Sequence, residues 1–106
     1  MASRKRMIMA KVITNAEFAK IKKTVENVST LYIGTGSEKY IKWSRPKHSP
    51  RVVSAVIEDS AWCSILNGYS DTGHARKAEE ALVNALDKIG MFYELFNVGV
   101  MMIYKQ

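Results

Sequence analysis

Between Lys39 and Arg51 cations and aromatic rings interleave: Lys39, Tyr40, Lys42, Trp43, Arg45, Lys47, His48 and Arg51. Lys and Arg neutralise phosphates, and an exposed Tyr or Trp ring stacks on a nucleobase. Such interleaving in a strand-and-loop region suits a single-strand or RNA binder. The competing reading makes Trp43 a core residue and the lysines its solvated neighbours. In strict alternation Ile41 and Trp43 share one face and Tyr40 and Lys42 the other, so Tyr40 is the better stacking ring.

A second basic site opens a later helix, at His74-Ala75-Arg76-Lys77-Ala78. Helix N-termini favour anions, and Arg76 and Lys77 add to that preference. Over these few residues the stretch resembles the last helix of double-stranded-RNA-binding domains, where lysines at the helix start meet phosphates. That resemblance implies phosphate contacts for the same residues. Glu79 and Glu80 depart from it, as do the strands expected at both ends of the chain.

Other constellations are weaker. Asp71-Thr72-Gly73 matches the triplet of aspartic proteases, in which two aspartates share one proton across a twofold axis. Here Tyr69-Ser70 precede it where an apolar strand is required, and a helix follows at once, so a capping loop accounts for it. Gly34-Thr35-Gly36-Ser37 could present N–H groups to a phosphate, but it lacks the lysine and following helix of a P-loop. A hairpin turn explains the glycines without a ligand. Cys63 and His74 could form a nucleophile–base pair only if folding joined them. The only histidines, His48 and His74, and the single thiol have no metal-ligand spacing. No catalytic residue, metal or cofactor is therefore expected.

The formal net charge is +6, and it is uneven. Residues 1–51 carry twelve Lys/Arg against three Glu, and residues 52–106 carry four Lys/Arg against seven Asp/Glu. A basic half is the electrostatic footprint of a polyanion binder. One cysteine rules out an intrachain disulfide, which fits a reducing compartment. The apolar run Met7–Ala10 ends at Lys11, too short for a signal peptide or a membrane span. We expect a soluble, cytoplasmic single domain over residues 1–106, with residues 1–5 as a flexible basic tail.

The elements that must position these residues follow from periodicity. Residues 6–13 read as a strand. Thr14 and Glu17 have capping-box spacing, and Phe18, Ile21, Val25 and Val28 mark one face of a helix whose Lys20, Lys22 and Lys23 lie mostly off that face. Residues 29–34 and 40–43 read as a hairpin about the glycine turn. Arg45–Arg51, with two prolines, is loop. Residues 52–58 form a strand with β-branched residues on both faces, hence central. Residues 60–66 lean towards strand. A helix follows with the stripe Ala75, Ala78, Leu82, Leu86 and Ile89, capped by Asp71 or Thr72 and ended by Gly90. Met91–Tyr104 is one long strand or a hairpin, more apolar than one sheet face can bury, which points to a homodimer or another protein partner.

These readings give an α+β domain, an antiparallel sheet of about five strands with two helices on one face, ferredoxin-like or a related two-layer sandwich. The expected function is non-enzymatic nucleic-acid binding, to DNA or RNA, through Lys20, Lys22, Lys23, Lys39, Tyr40, Lys42, Trp43, Arg45, Lys47, Arg51, Arg76 and Lys77. The alternative is a protein-binding inhibitor or regulator, such as a viral accessory protein, acting through the apolar C-terminal strands and the positive face.

Overall fold

Thr14 starts the first helix as its spacing predicts. Its Oγ1 accepts the Glu17 N–H at 3.1 Å, and its own N–H donates to Glu17 Oε1 at 2.9 Å, a reciprocal capping box. The computed structural model describes residues 11–46, 48–70 and 72–106. Within them run helix α1 (Asn15–Tyr32), a 3-10 turn (Ser37–Tyr40), β1 (Lys42–Ser44), β2 (Val52–Val56), α2 (Ala61–Leu66), α3 (Gly73–Lys88), β3 (Met91–Asn97) and β4 (Val100–Lys105). The strand expected over residues 6–13 lies largely outside the described residues, as do the basic tail, Lys47 and Asp71. Of that strand's described residues, Lys11 forms one bridge with Lys105 and the Ile13 N–H donates to Pro50 O at 2.9 Å.

The hairpin expected from residues 29–34 and 40–43 does not form. Helix α1 runs on through Tyr32, because Ile21, Val25, Val28 and Ser29 continue one buried face. Burial of that face outweighs the β preference of Thr30-Leu31-Tyr32-Ile33. The chain then turns through Gly34 and Gly36, the latter at φ +92°, a left-handed conformation open to glycine. Residues 60–66 form helix α2 and not a strand. Ser60 caps it by accepting the Trp62 N–H, and Trp62 and Leu66, one turn apart, are its buried residues.

The sheet has four strands in the order β1-β2-β4-β3, every pair antiparallel. The fifth strand is not found among the described residues. β2 is central, as its β-branched residues on both faces imply. Met91–Tyr104 is a hairpin that turns at Val98-Gly99 and has an irregularity between Leu95 and Asn97. Register sets Trp43 beside Ala55, Ala55 beside Met101, and Met101 beside Leu95. This row and the row Val53–Ile103–Tyr93 point into the core. There they meet Ile21 and Val25 of α1, Trp62 of α2, and Ala78, Leu82 and Leu86 of α3.

Two ends are tied by polar contacts. Lys105 Nζ lies 2.6 Å from Glu17 Oε2, joining the end of β4 to the start of α1. With the Thr14 N–H, this pair holds the Glu17 carboxyl down at about 2. Gly90, at φ +76°, ends the turn after α3 as expected. No described helix is long and apolar enough to cross a membrane.

Candidate nucleic-acid interface

The basic residues singled out in the sequence fall on three parts of the molecule. On α1, Lys20 and Lys23 are exposed, while Lys22 is half-buried with its ammonium 5.5 Å from the centre of the Phe18 ring. This cation–π contact gives Lys22 a structural use. The surface of α1 is nonetheless basic, as the periodicity implied.

The second group surrounds the glycine turn. Lys39 and Tyr40 end the 3-10 turn, both exposed, with Tyr40 58% accessible. The start of α3 is brought to the same region. His74 Nε2 lies 2.5 Å from Tyr32 O, and the two rings are 6.4 Å apart. His74 is thereby tied to the end of α1, two residues before the glycine turn, and Lys77 is exposed one turn further along α3. Arg76 is also exposed. Thr72 caps α3, its Oγ1 accepting the Ala75 N–H at 3.0 Å, so the Thr72 of the Asp-Thr-Gly triplet serves the helix start.

A hydrogen-bond relay fixes this end. Trp62 Nε1 donates to Ser29 Oγ at 3.2 Å, and Ser29 Oγ lies 2.6 Å from Ser37 Oγ. Ser37 Oγ in turn donates to Gly34 O at 2.6 Å. Because the Ser37 hydroxyl proton is used on Gly34, Ser29 donates to Ser37. The turn bearing Lys39 and Tyr40 is thereby hung from a buried tryptophan. Nothing in the sequence marked Ser29 for this role, since a serine on an apolar helix face has no pattern of its own.

The turn is not an open anion cradle. Gly34 N–H donates to Ser29 O, Gly36 N–H to Glu38 Oε1 at 2.9 Å, and Ser37 N–H to Gly34 O. A carboxylate already occupies the place that a phosphate would take on the Gly36 amide.

The third group divides between the faces of β1 and its loop. Lys42 is exposed, on the face opposite Trp43, and Arg51 is exposed before β2. Trp43 is half-buried and packs against the core, so Tyr40 is the accessible ring of the two. Arg45 is half-buried, its guanidinium donating to Ile13 O and Asn15 Oδ1. It ties the β1–β2 loop to the start of α1. Lys11, which the sequence reading left out, is exposed beside the end of β4.

The other pairings divide as well. Cys63 Sγ donates to Val98 O at 3.3 Å while His74 meets Tyr32 O, so the two do not face each other. Among the described residues no group of three or more His, Cys, Asp or Glu is placed to hold a metal ion. Comparison of the chain with family models, with curated proteins and with solved structures finds no match.

Proposed function

We propose that this chain is a small non-enzymatic protein that binds single-stranded nucleic acid, holding phosphates with its basic N-terminal half and stacking a base on Tyr40. The observation that supports this is a set of exposed cations that the chain itself does not pair. Lys20, Lys23, Lys39, Lys42, Arg51 and Lys77 are all exposed, and none has an ion-pair partner among the described residues. Among the described carboxylates Glu17, Glu38, Glu79 and Asp87 have partners within the chain, while Glu26, Glu58, Asp59, Glu80 and Glu94 do not, so the support lies in the excess of cations, a formal net charge of +6. Exposed cations without internal partners are what counterion release requires. Tyr40 beside Lys39 adds a ring that any base can use, which favours a single strand.

Fluorescence anisotropy with labelled single- and double-stranded DNA and RNA, at low and near-physiological salt, tests this. The expected result is binding to single strands that weakens with salt and survives at the higher ionic strength. Replacing Lys39, Lys42 and Lys77 together by Ala should then weaken binding without unfolding the chain. Binding that disappears at near-physiological salt overturns the reading.

A second reading, a protein-binding regulator acting through the C-terminal strands or a homodimer formed by them, is favoured by one observation. Phe96 is 70% and Val98 49% accessible at the tip of the β3–β4 hairpin, where large apolar side chains gain nothing from water.

A further inference from the structure

The two edges of the sheet are protected unequally. β1 has three residues, carries Lys42, and runs into Arg45-Pro46, features that keep an edge from accepting another strand. β3, the other edge, has seven residues and neither lysine nor proline. Its free backbone groups follow from register. Gln106 N–H donates to Gly90 O at 2.8 Å, which makes Phe92–Tyr104 and Glu94–Met102 the hydrogen-bonded pairs of the ladder. Met91, Tyr93 and Leu95 therefore turn their N–H and C=O groups away from β4. The Gln106 side chain donates to Met91 O at 2.9 Å, so among the described residues Tyr93 and Leu95 are the part of the edge without a backbone partner.

Beside that edge runs a groove of about 650 Å³ between β3 and α3, lined by Glu79, Val83, Asp87, Tyr93, Glu94 and Leu95 among others. Among the described residues its lining holds three carboxylates and no Lys or Arg, in a protein that is basic overall. Glu79 and Asp87 each accept one hydrogen bond from within the chain, and a carboxylate has room for more.

We propose that the β3 edge takes an extended peptide of alternating apolar and Lys or Arg residues, added as a fifth strand. Backbone bonds to Tyr93 and Leu95 supply the pairing, and the groove supplies selectivity. Alternate residues of an added strand point to opposite faces. Cations on the α3 side meet Glu79 and Asp87, and cations on the other side meet Glu94, so either register finds a carboxylate. The same charges select against a second copy, because an antiparallel β3–β3 pairing brings like carboxylates together. This site is separate from the basic surface and does not rest on the nucleic-acid reading.

The test uses the full chain with two capped six-residue peptides, one alternating Val and Lys and one alternating Val and Glu. The Val-Lys peptide is expected to bind at least tenfold more tightly, with the Tyr93 and Leu95 amides gaining protection from hydrogen exchange. The paired substitution D87K/E94K is expected to reverse the preference while leaving the far-ultraviolet spectrum unchanged. Equal binding of both peptides, protection at other amides alone, or self-association through β3 in sedimentation overturns the proposal.

Discussion

The indole N–H of Trp62 donates to the hydroxyl of Ser29 at 3.2 Å, in the interior between α2 and α1. Both residues are almost completely buried, and the indole donor depends on Ser29, whose hydroxyl also meets Ser37. Ser29→Ala leaves the indole donor without a partner and should destabilise the chain by about 1–3 kcal/mol. Trp62→Phe alone also loses packing volume. The double variant should cost less than the sum of the two single ones, because the orphan donor has gone. Urea unfolding of the four proteins in a double-mutant cycle measures this, and additive losses would remove the relay from the account.

Glu17 gives the fold an acid-sensitive contact. Its carboxyl is lowered from 4.5 to about 2 by Lys105 and by the Thr14 N–H. A carboxyl depressed in the folded state contributes stability above its unfolded pKa, and that contribution is lost as pH falls towards the folded value. Glu17→Gln keeps a capping-box acceptor but removes the charge. The stability difference between wild type and Glu17→Gln should therefore narrow as pH falls from about 5 to about 2. Urea midpoints over that range check the sign. A constant difference would contradict the assignment.

Single substitutions on the basic surface should separate phosphate contact from stacking. Lys39→Ala should reduce the slope of log affinity against log salt by about 0.7 if it meets one phosphate of a single strand. Tyr40→Ala should weaken binding by about 1–3 kcal/mol with little change in that slope. Lys22→Ala, taken from over Phe18, should affect binding less than Lys23→Ala. Titrations at several salt concentrations distinguish the four.

After α3, Gly90→Ala places a side chain at φ +76°, with no atom of the described residues beyond its chain neighbours within 4 Å of the new Cβ. The loss is conformational, without a clash, and should be about 1 kcal/mol. Thermal unfolding of the variant reads it directly.

What the sequence discloses depends on whether an interaction is local. The capping box at Thr14, the α3 stripe, the central β2 and the loop at Arg45–Arg51 are written in adjacent residues, and each is present. The terminus of α1 is not local. Thr30–Ile33 prefer strand by composition, and the burial of Val28 and Ser29 keeps the helix running through Tyr32. Residues 61–66 mislead for the same reason, since Trp62 is held by a serine from another helix. At the candidate interface Tyr40 is exposed and Trp43 packed, as expected, but Tyr40 ends the 3-10 turn and is not placed by strand alternation. Alternation could not show that Arg45 is tied to Ile13, or that the start of α3 lies near the glycine turn. The acidic groove was invisible because Glu79, Asp87 and Glu94 come from a helix and a strand that meet only through folding.

The strand order also governs how fast this chain can fold. β1–β2 and β3–β4 are hairpins between neighbours in sequence and close over short loops. The β2–β4 seam pairs Val52 with Tyr104 and Val56 with Val100, spanning roughly fifty positions, and the entropy of closing that span precedes any gain from the pairing. Helices α2 and α3 lie inside the interval, so their formation shortens the chain that remains to be closed. The seam is consequently the step at which the halves of the sheet become one cooperative unit, and helix propensity within Gly73–Lys88 influences the rate at which a sheet is completed.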